Sequence, residues 1–320
     1  MPAVITTLTL NPTIDLASEA AAVRPIHKVR TTNERQDPGG GGVNVSRVVR
    51  ELGGETRAVI LAGGVTGHFL DELLDEAGVP RRTVPIAGRT RISQTVLDRG
   101  SGQEYRFVPE GPAVTEAEWD AALSAVAEAE PGWLVASGSL PNGVPEDFYA
   151  RAIEAARARG LPFVLDTSGP ALRAAVERGG IELIKPSQGE FETLAGGPLA
   201  EPGALEREAV ALARSGRVRL VAVTLGRDGA LLASAERSLR LPALDVPVRG
   251  AVGAGDSFLA AMTLALVRGS PPEDAFAWGV AAGAAAVSSP GTAHPRRADV
   301  VALRDRIREV PAAPAVRERA

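Results

Sequence analysis

The run "VGAGDSF" sets Gly253, Ala254 and Gly255 directly ahead of Asp256. Glycine and alanine leave main-chain N–H groups open to a ligand, because no side chain stands in the way. Where such a run opens a helix, those donors lack intrahelical partners and the helix dipole favours an anion. A carboxylate beside a bound phosphate repels it, so the natural use of Asp256 is to accept a proton. The chemistry suggested is phosphoryl transfer: an alcohol gives its proton to Asp256 and attacks a phosphorus atom held at 253–255. Taken alone, the same aspartate also reads as a helix N-cap.

A second glycine cluster, "DPGGGGVNVSRVV", occupies residues 37–49. No Gly-Lys-Ser/Thr follows it, so it is not a P-loop, and its spacing is wrong for a dinucleotide fingerprint. Gly40 and Gly41 offer close backbone approach, and Asn44 adds an amide, a combination that suits a polyhydroxyl ligand. The plainer alternative is a flexible loop. In "TLNPTID", Asp15 follows the first apolar segment. A carboxylate there can accept two sugar hydroxyls, or it can simply close a turn after Pro12.

These residues need a frame, and the periodicity of the chain supplies one. Short β-branched runs alternate with amphipathic stretches. Strands are expected at 4–10, 57–64, 132–137, 162–166, 181–184 and 218–224. Helices are expected at 41–54, 68–79, 115–128, 145–159, 170–178, 187–195, 203–215, 256–268, 272–288 and 296–309. A hairpin is expected near 229–241. This alternation implies an α/β fold, a mostly parallel sheet covered on both faces by helices. In such sheets ligands sit beyond the carboxyl ends of the strands. Two segments, 12–38 and 83–112, fall outside the rhythm and are expected to pair as a small β lid. The last ten residues, "PAAPAVRERA", read as a frayed end.

Composition narrows the function further. The 320 residues hold 35 basic and 39 acidic side chains, a net charge of −4, which carries no nucleic-acid footprint. There is no cysteine, so disulfides and thiolate metal sites are excluded, and the only histidines, His27, His68 and His294, are far apart in sequence. No stretch reads as a membrane span or a secretion signal, and a cytoplasmic protein is expected, with no membrane partner.

Five elements, "PGGGGVNVSRVVRELGG", "SGSLPNGV", "IKPSQGE", "VTLGRDGA" and "VGAGDSF", occur in that order. Together they resemble the PfkB family of carbohydrate kinases, over about residues 4–305. The resemblance implies a single ribokinase-like domain over 1–320: a three-layer sandwich with a mostly parallel central sheet and a small β lid. It implies ATP and Mg²⁺ as cofactors and a phosphorylated hexose as acceptor. "GGGG" at 39–42 and "EYRFVPEGP" at 104–112 are most similar to members that convert fructose 6-phosphate to fructose 1,6-bisphosphate. Fructose 1-phosphate and tagatose 6-phosphate are the alternative acceptors, and a non-catalytic sugar-phosphate sensor is a further one.

By this resemblance Asp256 is the base that deprotonates the sugar 1-hydroxyl, and Gly253, Ala254 and Gly255 form the anion hole. Asp15, Gly40, Gly41, Asn44 and Ser139 hold the sugar, and Lys28 is a lid lysine near substrate or nucleotide. Arg91 binds the 6-phosphate, for which a guanidinium fork is suited; without the resemblance it reads as a surface arginine. Lys185 and Ser187 lie near the nucleotide phosphates, Thr224, Gly226 and Gly229 form a nucleotide loop, and Gly283 and Ser289 lie near adenine or ribose. Glu190 organises Mg²⁺ through water. The chain departs from the family pattern in having Ser187 for an asparagine and Gly250-Ala251 for an Asp-Thr pair. A K⁺ site would therefore rest on backbone carbonyls of Gly250, Val252, Ala286 and Gly291. Ser289 replaces an asparagine. The lid implies a homodimer, with Val29 and the strand at 92–97 as contacts, because a small sheet with one apolar face needs a partner surface.

Overall fold

The structure is a computed structural model that describes residues 3–250, 252–289 and 293–309. The chain opens with β1 (Val4–Thr9), leaves the main layer for β2 (Thr13–Ala20) and β3 (Thr31–Gly39), and returns through α1 (Gly41–Glu51), β4 (Thr56–Ala62), α2 (Gly64–Glu76) and β5 (Arg81–Pro85). A second excursion forms β6 (Arg91–Asp98) and β7 (Glu104–Phe107). There follow α3 (Glu116–Ala127), β8 (Gly132–Ser137), α4 (Phe148–Ala158), β9 (Phe163–Asp166), α5 (Gly169–Arg178), β10 (Ile181–Ile184), α6 (Gln188–Ala195), α7 (Ala204–Arg214) and β11 (Val218–Thr224). The hairpin β12 (Ala230–Ala233) and β13 (Ser238–Leu241) precedes α8 (Ala254–Val267), α9 (Pro272–Val287) and α10 (Arg297–Glu309).

The main sheet runs β13-β12-β11-β10-β9-β8-β1-β4-β5. It is parallel except for the terminal hairpin, where β12 runs antiparallel to both its neighbours. Its strands are apolar in both directions because both faces are covered. Ile5, Val135 and Leu220 point into a core shared with Phe258, Met262 and Phe276 of α8 and α9. Leu8, Leu134 and Val221 point the other way, against Trp119, Phe148 and Tyr149 of α3 and α4. The result is the expected three-layer sandwich.

The second sheet has the order β3-β2-β6-β7. Its strands come from the two segments that broke the sequence rhythm, with one correction at the boundary. Residues 83–85 of the expected lid segment belong to β5, which pairs in parallel with β4 at the edge of the main sheet. The alternating register of "RRTVP" is too short and too charged to announce a strand, and burial of Val84 against β4 decides it. The expected end at 311–320 lies outside the described residues.

Strand order reverses around β1: β4 and β5 lie to one side, β8 and its successors to the other. The carboxyl ends beside such a switch point form a crevice. The segments leaving β1, β8, β10 and β11 there carry Asp15, Ser139, Lys185 and Ser187, and Gly226 with Gly229.

Candidate active site

Helix α8 starts two residues earlier than its sequence pattern suggests. Gly253, at φ 73°, is its N-cap in the left-handed conformation, which only glycine adopts without cost. Asp256 is therefore inside the first turn rather than at the cap. The first helical bond at this end runs from Ser257 N–H to the Gly253 carbonyl at 2.8 Å. The N–H groups of Ala254, Gly255 and Asp256 thus precede the bonded ladder. Space beside Gly253 is open, whereas a Cβ on Gly255 would stand 3.2 Å from Lys185 Nζ. A buried ammonium therefore underlies the amide cradle.

The Asp256 carboxylate does not turn back to cap its own helix. Its Oδ2 accepts a hydrogen bond from Asn44 Nδ2 at 2.9 Å, joining α8 to the first turns of α1. Burial raises the Asp256 pKa to about 6; the negative charge of Asp166 adds to the rise, while Asn44 and Lys185 oppose it. A carboxylate poised at that level is a better proton acceptor than an ordinary aspartate. Lys185, 5 % exposed, is paired with Asp166 Oδ1 at 3.2 Å. Burial works against its charge, but Asp166, Asp256 and Glu190 together hold its pKa above the ordinary lysine value. It is a fixed cation.

Asp15 lies on β2 beside the glycine loop. A Cβ on Gly39 would overlap its Oδ2, and one on Gly41 would overlap Ser137 Oγ. Gly40, at φ 106°, is the N-cap of α1 and has Pro12 and Thr9 against it. The loop is thus glycine-rich because β2 and the end of β8 press on it, and it is not a slack connection. Burial raises Asp15 to about 6, with Arg47 as the main opposing charge. A cavity of about 10 Å³, room for roughly one water, lies between Asp15, Asn44, Arg47, Gly253 and His294.

Arg91 is not a free surface arginine. Its Nη1 donates to the Pro109 carbonyl at 2.8 Å and its Nη2 to the Asn11 carbonyl at 2.9 Å. Asn11 in turn donates to the Glu110 carbonyl at 2.8 Å and to Ser139 Oγ at 3.4 Å. The ends of β1, β7 and β8 are tied together at this knot, which places Arg91 and Ser139 on one side of the crevice. Lys28 is exposed in the connection between β2 and β3 and makes none of the hydrogen bonds or ion pairs that hold this region.

On the other side, Ser187 caps α6 in a reciprocal box. Its N–H and Oγ both donate to Glu190 Oε2, at 2.7 and 2.8 Å. Thr224 N–H donates to the Pro186 carbonyl, setting the end of β11 against this cap. Gly226, at φ 59°, faces open space, but a Cβ on Gly229 would overlap the Leu241 carbonyl, so Gly229 is required by the hairpin that follows. Gly283 lies on α9 beside the start of α8, where a Cβ would stand in ordinary contact with the Ala254 carbonyl at 3.5 Å. Ser289 Oγ donates to the Ala285 carbonyl at 3.0 Å and ends α9. Gly250 N–H donates to the Val287 carbonyl at 3.3 Å, which brings Gly250 beside the end of α9 and Ala286. Gly291 lies outside the described residues.

Sequence reasoning overlooked Asp166, Arg47, Asp37 and Asn11. Each is a buried or half-buried polar group; Asp37, Arg47 and Asn11 lie inside the quoted runs, but nothing in those runs shows which polar groups they meet, and the partner of Asp166, Lys185, is 19 residues on. The only signal was their placement: Asn11 and Asp166 at the ends of apolar strands, Arg47 in a helix whose other large buried side chains are valines.

Among the described residues, no helix is long and apolar enough to cross a membrane. Residues 8–299 match the model of the pfkB family of carbohydrate kinases. The ATP-dependent 6-phosphofructokinase isozyme 2 of Mycobacterium tuberculosis is 43% identical over 299 residues, covering 92% of this chain and 87% of that protein. Phosphofructokinase-2 from Escherichia coli, solved in complex with potassium, superposes with a TM-score of 0.93 at 38% identity, covering 96% of this chain and 100% of that one. The same Escherichia coli protein in complex with fructose-6-phosphate gives a TM-score of 0.91 at 37% identity, with 96% and 100% covered.

Proposed function

Because this chain belongs to the pfkB family of carbohydrate kinases, we propose that it transfers the γ-phosphoryl group of ATP to the 1-hydroxyl of fructose 6-phosphate. The observation that carries this reading is one arrangement: the Asp256 carboxylate, held by Asn44, beside open amides at 253–255 and above the Lys185 cation. In this proposal Asp15, Gly40, Gly41, Asn44 and Ser139 seat the sugar. Arg91 takes the 6-phosphate with the guanidinium N–H groups its two backbone bonds leave over; Lys28 joins it from the lid. Asp256 accepts the hydroxyl proton as the oxygen attacks phosphorus. The amides of 253–255 and Lys185 take up the charge that develops on the transferred group.

Lys185, Ser187, Thr224, Gly226, Gly229, Gly283 and Ser289 would line the nucleotide side. Among the described residues no three carboxylates or histidines converge as direct metal ligands. The hard oxygens of Glu190 still suit Mg²⁺. Oε2 is taken by the α6 cap while Oε1 carries no hydrogen bond, which fits contact through water. When bound, Mg²⁺ supplies charge neutralisation of the phosphates. A K⁺ ion would be held by the carbonyls of Gly250, Val252 and Ala286; the expected fourth residue, Gly291, lies outside the described residues. The potassium complex of the Escherichia coli relative supports this.

The lid exposes Ile92, Phe107 and Val108 and half-exposes Val29. A second copy of this chain covering that face makes a homodimer; the Escherichia coli relative also has a tetrameric inhibited form. With ATP and a sugar phosphate as reactants, the chain belongs in the cytoplasm. The test is a panel of fructose 6-phosphate, fructose 1-phosphate and tagatose 6-phosphate assayed with Mg-ATP. Fructose 6-phosphate is expected to have the highest kcat/KM. Preference for another acceptor would reassign the substrate, and binding without turnover would favour a sensor.

A further inference from the structure

Three polar side chains recur on one face of α1: Asn44, Arg47 and Glu51, at spacings of three and four residues. Asn44 reaches Asp256. Glu51 accepts from Arg297 N–H at 2.9 Å and pairs with His294 at 3.6 Å. Between them Arg47, 6 % exposed, donates Nη2 to Asp37 Oδ1 at 2.8 Å and Nη1 to the Pro38 carbonyl at 3.0 Å. Arg35 reaches the other oxygen of Asp37 at 2.6 Å. Asp37 and Pro38 lead directly into the glycine loop at 39–42, so Arg47 ties the root of the lid to the helix that carries Asn44.

Asp37 stands opposite Asp15 in the β2–β3 register. Directly opposed residues share a face of the sheet, so two carboxylates stand side by side. Arg47 bonds to one and lines the same small cavity as the other. A buried arginine carries a desolvation cost that a hydrophobic residue of similar size would avoid. Its Nε is buried with no hydrogen-bond partner. Scaffolding alone does not call for such a residue; a charge needed at this place does.

We propose that Arg47 is a positioning residue for the sugar phosphate: it anchors Asp37 and Pro38 at the entry to the glycine loop and supplies the charge that keeps Asp15 an acceptor for sugar hydroxyls. The inference rests on the sugar-phosphate reading given above. The charged and titratable groups around Asp15 are Arg47 from α1, Arg106 from β7, Arg91 from β6, Asp37 from β3, Asp256 from α8 and His294, which lines the same small cavity. The three arginines favour its ionised form and the two aspartates oppose it; Arg47 is the strongest of the charges acting on it.

The test compares the wild type with Arg47→Lys and with the double variant Arg47→Met/Asp37→Asn, assayed with fructose 6-phosphate and Mg-ATP from pH 5 to 9. The double variant removes both partners, so no lone charge is left buried. Losing Asp37 shifts Asp15 opposite to losing Arg47, but the arginine is the larger influence, so the net shift is upward. In the double variant KM for fructose 6-phosphate should rise ~10-fold or more. The acid limb of kcat/KM for the sugar should move to higher pH, with the acid limb of kcat and KM for ATP unchanged. Arg47→Lys keeps the charge and should restore the limb position. A folded double variant with unaltered sugar KM and pH limb, or with both substrates' KM raised alike, overturns the role of Arg47. A wild type that does not turn over fructose 6-phosphate overturns the kinase reading itself.

Discussion

At the scale of residues, the account turns on the protonation of Asp256. Replacement by Asn keeps shape and the link to Asn44 but removes the base, so kcat should fall ~10³-fold while ATP binding, measured by calorimetry, changes by less than about threefold. With the Asp256 pKa near 6 in the free protein, kcat/KM should fall at least tenfold per pH unit below that value. The same shift bears on stability. A folded pKa of about 6 against an ordinary 3.8 means that ionised Asp256 burdens the fold fully above pH 6 and not at all below pH 4. Asp256→Asn should therefore be ~1–2 kcal/mol more stable than the wild type at pH 8, with the gain vanishing toward pH 4, as read from denaturant melts. An unstable variant at pH 8 would mean the carboxylate is not desolvated in the fold.

At the scale of elements, β2, β3 and α1 position the proposed sugar site through close contact. A Cβ on Gly39 would overlap Asp15 Oδ2, so Gly39→Ala should displace that carboxylate. Its KM for fructose 6-phosphate should rise ~10-fold, with KM for ATP within about twofold, by steady-state kinetics. The alternation of strands and helices was legible because parallel strands buried on both faces are apolar throughout, and their helices repeat every three to four residues. The glycine loops and Asp256 stood out in the sequence because close backbone packing and an open helix start both leave local runs of glycine. The pairing of the two lid segments was expected, but the parallel direction and register of β2 against β6, about 80 residues apart, left no mark, and neither did β5. Lys185 with Asp166 is likewise a contact between separate segments, and Arg47 with Asp37, though ten residues apart, depends on how α1 packs on β3. A buried charge carries no sign of its partner in the residues beside it.

At the scale of the whole molecule, the lid is the element least able to stand alone. Its outer side exposes Ile92 and Phe107, and a sheet of four strands with an open apolar face gains from a partner. Sedimentation should give a dimer, and Ile92→Lys should shift it toward monomer and raise KM for the sugar phosphate. A wild-type monomer at micromolar concentration would remove the dimer from the account. The central claim concerns chemistry, and its most direct measurement is phosphorus NMR of the product formed from fructose 6-phosphate and Mg-ATP by the wild type and by Asp256→Asn side by side. Fructose 1,6-bisphosphate from the wild type, and ~10³-fold less of it per unit time from a variant that still binds both substrates, is the predicted result. A variant that keeps most of the rate, or a wild type that leaves the sugar unphosphorylated, would contradict it.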